Sequence, residues 1–153
     1  MAESQFVYVT YIRTTPEKLW RALIEPEFTR QFWHDTTQKS EWKPGASWQI
    51  VTPDGRTADS GEIVEIEPNR KLVVTWLHHL HPAAHAEGYS RLTYTLEEKG
   101  DAVKLTVLHE MDRSDSKLIK AVSGGWPMIL ASLKSLLETG ESLEATRRWP
   151  EGM

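Results

Sequence analysis

Residues 90–137 read SRLTYTLEEKGDAVKLTVLHEMDRSDSKLIKAVSGGWPMILASLKSLL, and along them the spacing of apolar residues changes from every second position to every third or fourth. Ser90 to Glu97 and Ala102 to Met111 alternate as half-buried strands do, around the short connection Lys99-Gly100-Asp101. The alternation puts Val103, Leu105, Val107, His109 and Met111 on one face of the second strand. Beyond it, Ile129, Leu130, Leu133, Leu136 and Leu137 form a helical stripe, extended towards the N-terminus by Trp126. The stripe predicts a helix over Trp126 to Glu138, with Gly140 as its stop. Ser114 or Ser116 is expected to cap a shorter helical stretch ending at Val122, where Ser123-Gly124-Gly125 interrupts it.

Working outward, Gln5 to Arg13 is β-branched and aromatic and reads as a strand. Thr14-Thr15-Pro16-Glu17 is a helix start, with Glu17 three residues after Thr14 as in a capping box. Leu19, Trp20, Leu23 and Ile24 give that helix one apolar face; Pro26 ends it and opens a second, where Phe28, Phe32 and Trp33 gather. Short strands follow at Ala46 to Val51, Gly61 to Glu67 and Lys71 to His78, separated by Pro53-Asp54-Gly55 and Pro68-Asn69. Consecutive short strands with hairpin-length turns make an antiparallel sheet, and the longest striped helix is the natural cover for its apolar face. The expected fold is α+β: a helix-grip, in which a curved antiparallel sheet of six or seven strands wraps a long C-terminal helix. Two short helices follow the first strand. One domain spans 1–153, with its core over about 5–140 and a polar tail at 141–153 expected to fray at its end.

With 18 Lys and Arg against 22 Asp and Glu, the formal charge is −4, which disfavours a general nucleic-acid binder. No run approaches the ~18 apolar residues of a membrane span, and MAESQFVYVT lacks the basic-then-apolar order of a signal peptide. There is no cysteine, so disulfides, thiol nucleophiles and thiolate metal sites are excluded, and the cytoplasm is the expected compartment. Seven tryptophans in 153 residues suit either a packed core or the lining of an apolar pocket.

The landmarks resemble the SRPBCC superfamily, also called START-like or Bet v 1-like. They are Thr14-Thr15-Pro16-Glu17-Lys18-Leu19-Trp20-Arg21-Ala22-Leu23, Phe32-Trp33, Lys43-Pro44-Gly45, Gly61 to Ile66, Arg70 to Trp76, and Gly125-Trp126 with Leu130, Leu133 and Leu137. Their order is closest to the branch named after the activator of the heat-shock protein 90 ATPase, and the resemblance covers roughly residues 5 to 143. It implies a helix-grip fold with a cavity between sheet and helix. Relatives include co-chaperones, lipid and small-molecule binders, polyketide cyclases and self-resistance proteins. No shared catalytic triad or metal motif carries over residue by residue.

Within that fold, Trp33, Trp48, Trp76, Tyr94 and Trp126 are expected to ring an apolar ligand, with His109 and Met111 on the concave strand face and Leu130 and Leu133 on the helix. His109 is a hydrogen-bonding group or general base if it meets the cavity, and a satisfied core histidine otherwise. His78, His79, His81 and His85 have the composition of a metal site, but no acidic ligand lies among them and Pro82-Ala83-Ala84 suggests a loop. They are read as a polar loop at the cavity mouth, with no metal and no cofactor. Glu62, Glu110 and Asp112 lack a spacing for acid–base work, and G-x-S-x-G, P-loop and G-x-G-x-x-G motifs are absent. The leading expectation is non-enzymatic binding of a small hydrophobic molecule. The alternatives are a co-chaperone-type interaction module, with a chaperone or a second copy as partner, and a cyclase- or hydrolase-like enzyme using His109 or Tyr94.

Overall fold

Alternation along β1 (Ser4–Ile12) turns Phe6, Tyr8 and Ile12 inward and leaves Val7, Val9 and Tyr11 outside. The computed structural model describes residues 3–153. After β1 come α1 (Pro16–Ile24) and α2 (Pro26–Phe32), then β2 (Thr37–Ser40), β3 (Ser47–Val51), β4 (Thr57–Glu67) and β5 (Lys71–His78). A short helix, α3 (Pro82–Ala86), precedes the hairpin of β6 (Ser90–Lys99) and β7 (Ala102–Met111). The long helix α4 (Lys117–Thr139) and a single 3-10 turn at Glu144–Thr146 complete the chain. The seven strands form one antiparallel sheet in the order β1-β7-β6-β5-β4-β3-β2, curved around α4. The helix-grip architecture is the one the sequence predicts.

Register fixes which side chains meet. Across β6 and β7, Leu92 faces His109, Tyr94 faces Val107 and Leu96 faces Leu105, and all three pairs are buried. Lys99 pairs with Ala102, leaving Gly100 and Asp101 as a two-residue turn with Gly100 at φ +62°, a conformation glycine adopts without strain. Two register shifts each leave an extra residue on β4, Ala58 opposite Ile50 and Val51 of β3 and Val64 opposite Val74 and Val73 of β5, and such bulges bend a strand. Gly61 lies beside the second bulge. A Cβ there would sit 1.9 Å from the backbone oxygen of Thr75, so only glycine allows this approach of β4 to β5.

Four local expectations are corrected. Pro16 takes the first helical position of α1, so the cap is Thr15, whose side chain accepts from Lys18 N at 3.2 Å; Thr14 is not the cap. Pro82 likewise starts α3 rather than a loop, with His81 Nδ1 accepting from Ala84 N at 3.3 Å. The helix expected from Trp126 runs unbroken from Lys117, through Ser123-Gly124-Gly125 and with Pro127 inside it. Buried Leu118, Ile119 and Trp126 anchor its first half, and tertiary burial outweighs the local glycine and proline penalties. Its cap is Ser116, as one of the two expected serines. Finally, the tail folds back onto the core, and at its end, expected to fray, Trp149 Nε1 donates to Met153 O at 2.9 Å. Thr146 Oγ1 donates to Ser132 Oγ at 2.7 Å, Leu143 N donates to the same oxygen, and Trp149 packs against the core.

Glu87 ties α3 to α4. Its carboxylate accepts from Ser116 Oγ at 2.6 Å, from Lys117 N at 2.6 Å and from Leu118 N at 3.3 Å, at the positive end of the helix. Desolvation works to raise its pKa, but these hydrogen bonds and nearby Arg113 hold it below the ordinary carboxylate value.

Candidate ligand-binding cavity

Trp33 closes α2, Trp76 stands on β5 and Trp126 on α4, and the three indoles meet. Trp33 stacks on Trp76 at 6.3 Å between centroids, and Trp126 meets Trp33 at 5.3 Å and Trp76 at 5.9 Å, edge to face. On one side this cluster borders a cavity of about 280 Å³. Ile50 from the sheet, Leu118, Ala121, Val122, Gly125 and Ile129 from α4, and Trp149 and Met153 from the tail complete an apolar wall. Thr36, His34, Asp59, His78 and His81 supply its polar rim. The indole Nε1 of Trp76 is buried with no hydrogen-bond partner, an uncommon state for a buried donor.

Of the nine residues singled out from the sequence, Trp33, Trp76 and Trp126 line this cavity. Trp48 stands behind Trp76 at 5.1 Å, donating through Nε1 to Gln38 Oε1 at 2.9 Å; Gln38 in turn donates to Leu23 O at 2.5 Å. Tyr94 meets the edge of Trp126 at 6.1 Å, and burial raises the pKa of its phenol far above the ordinary value. Leu130 and Leu133 are fully buried in the core and outside the cavity wall. Met111 borders a separate pocket of about 360 Å³ with Arg91, Glu110 and Asp112.

His109 is fully buried and lies behind the wall, 5.1 Å from Trp76. Its hydrogen bonds define its chemistry. Trp126 Nε1 can only donate, so His109 Nδ1 accepts that bond at 3.2 Å and the ring proton sits on Nε2. Nε2–H then donates to Ser90 Oγ at 2.7 Å, and Ser90 donates onward to Trp76 O at 3.2 Å. Ser90 therefore faces a proton donor, the reverse of an activated serine. Desolvation pushes the His109 pKa down to about 3, so the ring is neutral at physiological pH.

The four clustered histidines take separate hydrogen-bond partners, although the His79 and His85 rings remain 5.4 Å apart. His79 Nε2 lies 2.6 Å from Ser60 Oγ, His81 caps α3, and His85 Nδ1 donates to His78 O at 2.9 Å. Among the described residues no group of three His, Cys, Asp or Glu is placed to hold a metal ion. His78 instead pairs through Nδ1 with Asp59 Oδ1 at 2.6 Å. Sequence reasoning passed over Asp59 because β4 starts at Thr57, before the strand expected from Gly61, and because of the β4 bulge. Glu67 faces Lys71, and an unbroken register would set Asp59 opposite His79, whereas the shift brings it opposite His78. Trp149 and Gly125 also escaped it, being placed by the tail's return and by the continuity of α4.

A sequence profile described as "Activator of Hsp90 ATPase homolog 1-like protein" matches residues 13–138, most of the chain. The chain belongs to that family. It is a member of the SRPBCC superfamily in its activator-of-Hsp90-ATPase-like branch. Protein MLL2253 of Mesorhizobium loti is similar at 28% identity and a TM-score of 0.74, over 88% of this chain and 97% of that one. The Aha1 dimer from Colwellia psychrerythraea has a similar fold, with a TM-score of 0.72 at 18% identity over 91% of this chain and 99% of that one. So has CalU16 from Micromonospora echinospora, with a TM-score of 0.70 at 19% identity over 89% and 77%. A comparison with curated proteins finds no match. Among the described residues, no helix is long and apolar enough to cross a membrane.

Proposed function

We propose that this family member binds a small apolar, aromatic molecule in the cavity between sheet and α4, without turning it over. The observation that carries this reading is the three-tryptophan wall of the 280 Å³ cavity. Its volume is at the small end for ligand pockets, which selects a ligand of one or two rings. Micromolar affinity corresponds to about 8 kcal/mol, or roughly 330 Å² of apolar surface at ~25 cal/mol per Å². Association costs reduce this, so dissociation constants between about 1 and 100 µM are expected for a two-ring aromatic. The wiring of Ser90 and His109 favours binding over serine chemistry.

Gly125 provides the test. It lines the cavity on a helix, and a Cβ there meets nothing within 4 Å. Gly125→Leu has room for its first side-chain carbon and should project into the cavity and occupy it. Titration with 2-methoxynaphthalene, followed by tryptophan emission, should saturate for the native chain and not for Gly125→Leu. Equal titrations, or none below about millimolar, would leave the cavity without a ligand role. In that event a surface-interaction role becomes the better reading, and Val7, Val9 and Tyr11, exposed together on edge strand β1, are the apolar patch it would use.

A further inference from the structure

We infer that Asp59 and His78 form the polar recognition element of the cavity, and that its ligand is a phenol: an aromatic ring bearing a weakly acidic hydroxyl. The inference rests on the cavity-binding reading and adds the chemical class of the ligand.

Asp59 is buried at 7% exposure, and a carboxylate in that position needs a partner. His78 Nδ1 supplies it at 2.6 Å. Both residues line the cavity, beside the tryptophan wall. With Nδ1 taken up by Asp59, Nε2 is the ring nitrogen left for a ligand, and it has no protein partner among the described residues. A carboxylate behind an imidazole fixes its tautomer and stabilises the cation that forms when it takes a proton. The other cavity imidazoles lack this support. His34 Nδ1 is spent on Arg148 O at 2.9 Å, and His81 Nδ1 on Ala84 N.

A phenol matches the arrangement at both ends, its ring against the indoles and its hydroxyl at Nε2. The single proton between phenol oxygen and Nε2 lies on one or the other. Phenol with neutral imidazole and phenolate with imidazolium are the same composition, with the Asp59 carboxylate balancing the second. No other bond changes. An apolar ring without an acidic hydroxyl leaves Nε2 desolvated and unpaired, which is where selectivity arises. Asp59 is a positioning residue here, since it acts through His78.

The test compares 2-naphthol with 2-methoxynaphthalene, which differ by the acidic proton. Native protein should bind 2-naphthol about tenfold or more tightly than the ether, the range for a hydrogen bond in which one partner carries charge. Excited beyond the tryptophan absorption, and with protein in excess so that free 2-naphthol, which releases its proton to water, does not contribute, bound 2-naphthol should also show the long-wavelength emission of naphtholate, because in an apolar cavity light-driven proton release requires a basic group in contact with the hydroxyl. In His78→Gln and Asp59→Asn the affinity ratio should fall towards one and that emission should fade. Equal affinity of the two probes for native protein overturns the inference while leaving the cavity reading intact, as does a ratio unchanged in both variants. Binding of neither probe removes both readings together.

Discussion

His109 shows how one buried side chain ties sequence to stability. Its ring titrates near 6.5 when unfolded and at about 3 when folded, so between these values the unfolded state binds more protons. Stability should therefore fall as pH drops below about 6.5, with a slope approaching ~1.4 kcal/mol per pH unit, and this contribution is absent above that range. His109→Gln keeps an acceptor for Trp126 and a donor for Ser90 but does not titrate. Urea unfolding at pH 7 and pH 5 should show the native chain losing about 2 kcal/mol more than the variant over that interval; parallel losses would mean that His109 is solvated. At Gly61 the constraint is steric. Gly61→Ala meets the Thr75 backbone and should cost about 2 kcal/mol or more, read as a lower urea midpoint. The inward direction of His109 was legible from strand alternation. Its neutral, donor-facing wiring was not, because Ser90 and Trp126 come from elements that only the fold brings to it.

At the scale of elements, the strands were readable because their alternation is strong and their turns carry proline and glycine. β2 was missed: Thr37–Ser40 is four polar residues, and what holds it is tertiary, with Gln38 buried between Leu23 O and Trp48 Nε1. The break expected in α4 followed from propensity, which packing overrides. This has a direct check. Gly124 lies inside the helix with open space where its Cβ would be, so Gly124→Ala should stabilise the protein by about 1 kcal/mol, seen as a raised unfolding midpoint. A helix interrupted at this point would gain nothing. At the start of α4, Ser116→Ala removes both the cap to Ile119 N and the contact with Glu87, and should cost ~1 kcal/mol or more.

At the scale of the whole molecule, the cavity is assembled from parts distant in sequence: the end of α2, the strands β3 to β5, the first half of α4 and the returning tail. Its three central tryptophans were legible as members of an aromatic-rich set, whereas Asp59, Gly125 and Trp149 depended on a bulge, a continuous helix and a folded tail. The seven indoles also make the central claim measurable in one spectrum. Trp48, Trp126 and Trp149 donate through Nε1 to Gln38, His109 and Met153, while Trp76 Nε1 is unpartnered and Trp20 and Trp42 lie outside the wall. Their indole N–H resonances should therefore be distinct in a nitrogen–proton correlation spectrum, and each can be assigned by single substitution. Titrating 2-methoxynaphthalene into labelled protein should shift the Trp33, Trp76 and Trp126 signals together, along one saturating curve, and leave Trp20 and Trp42 in place. Shifts confined to Trp20 or Trp42, or a spectrum unmoved up to the solubility of the probe, would contradict a ligand seated between the sheet and α4.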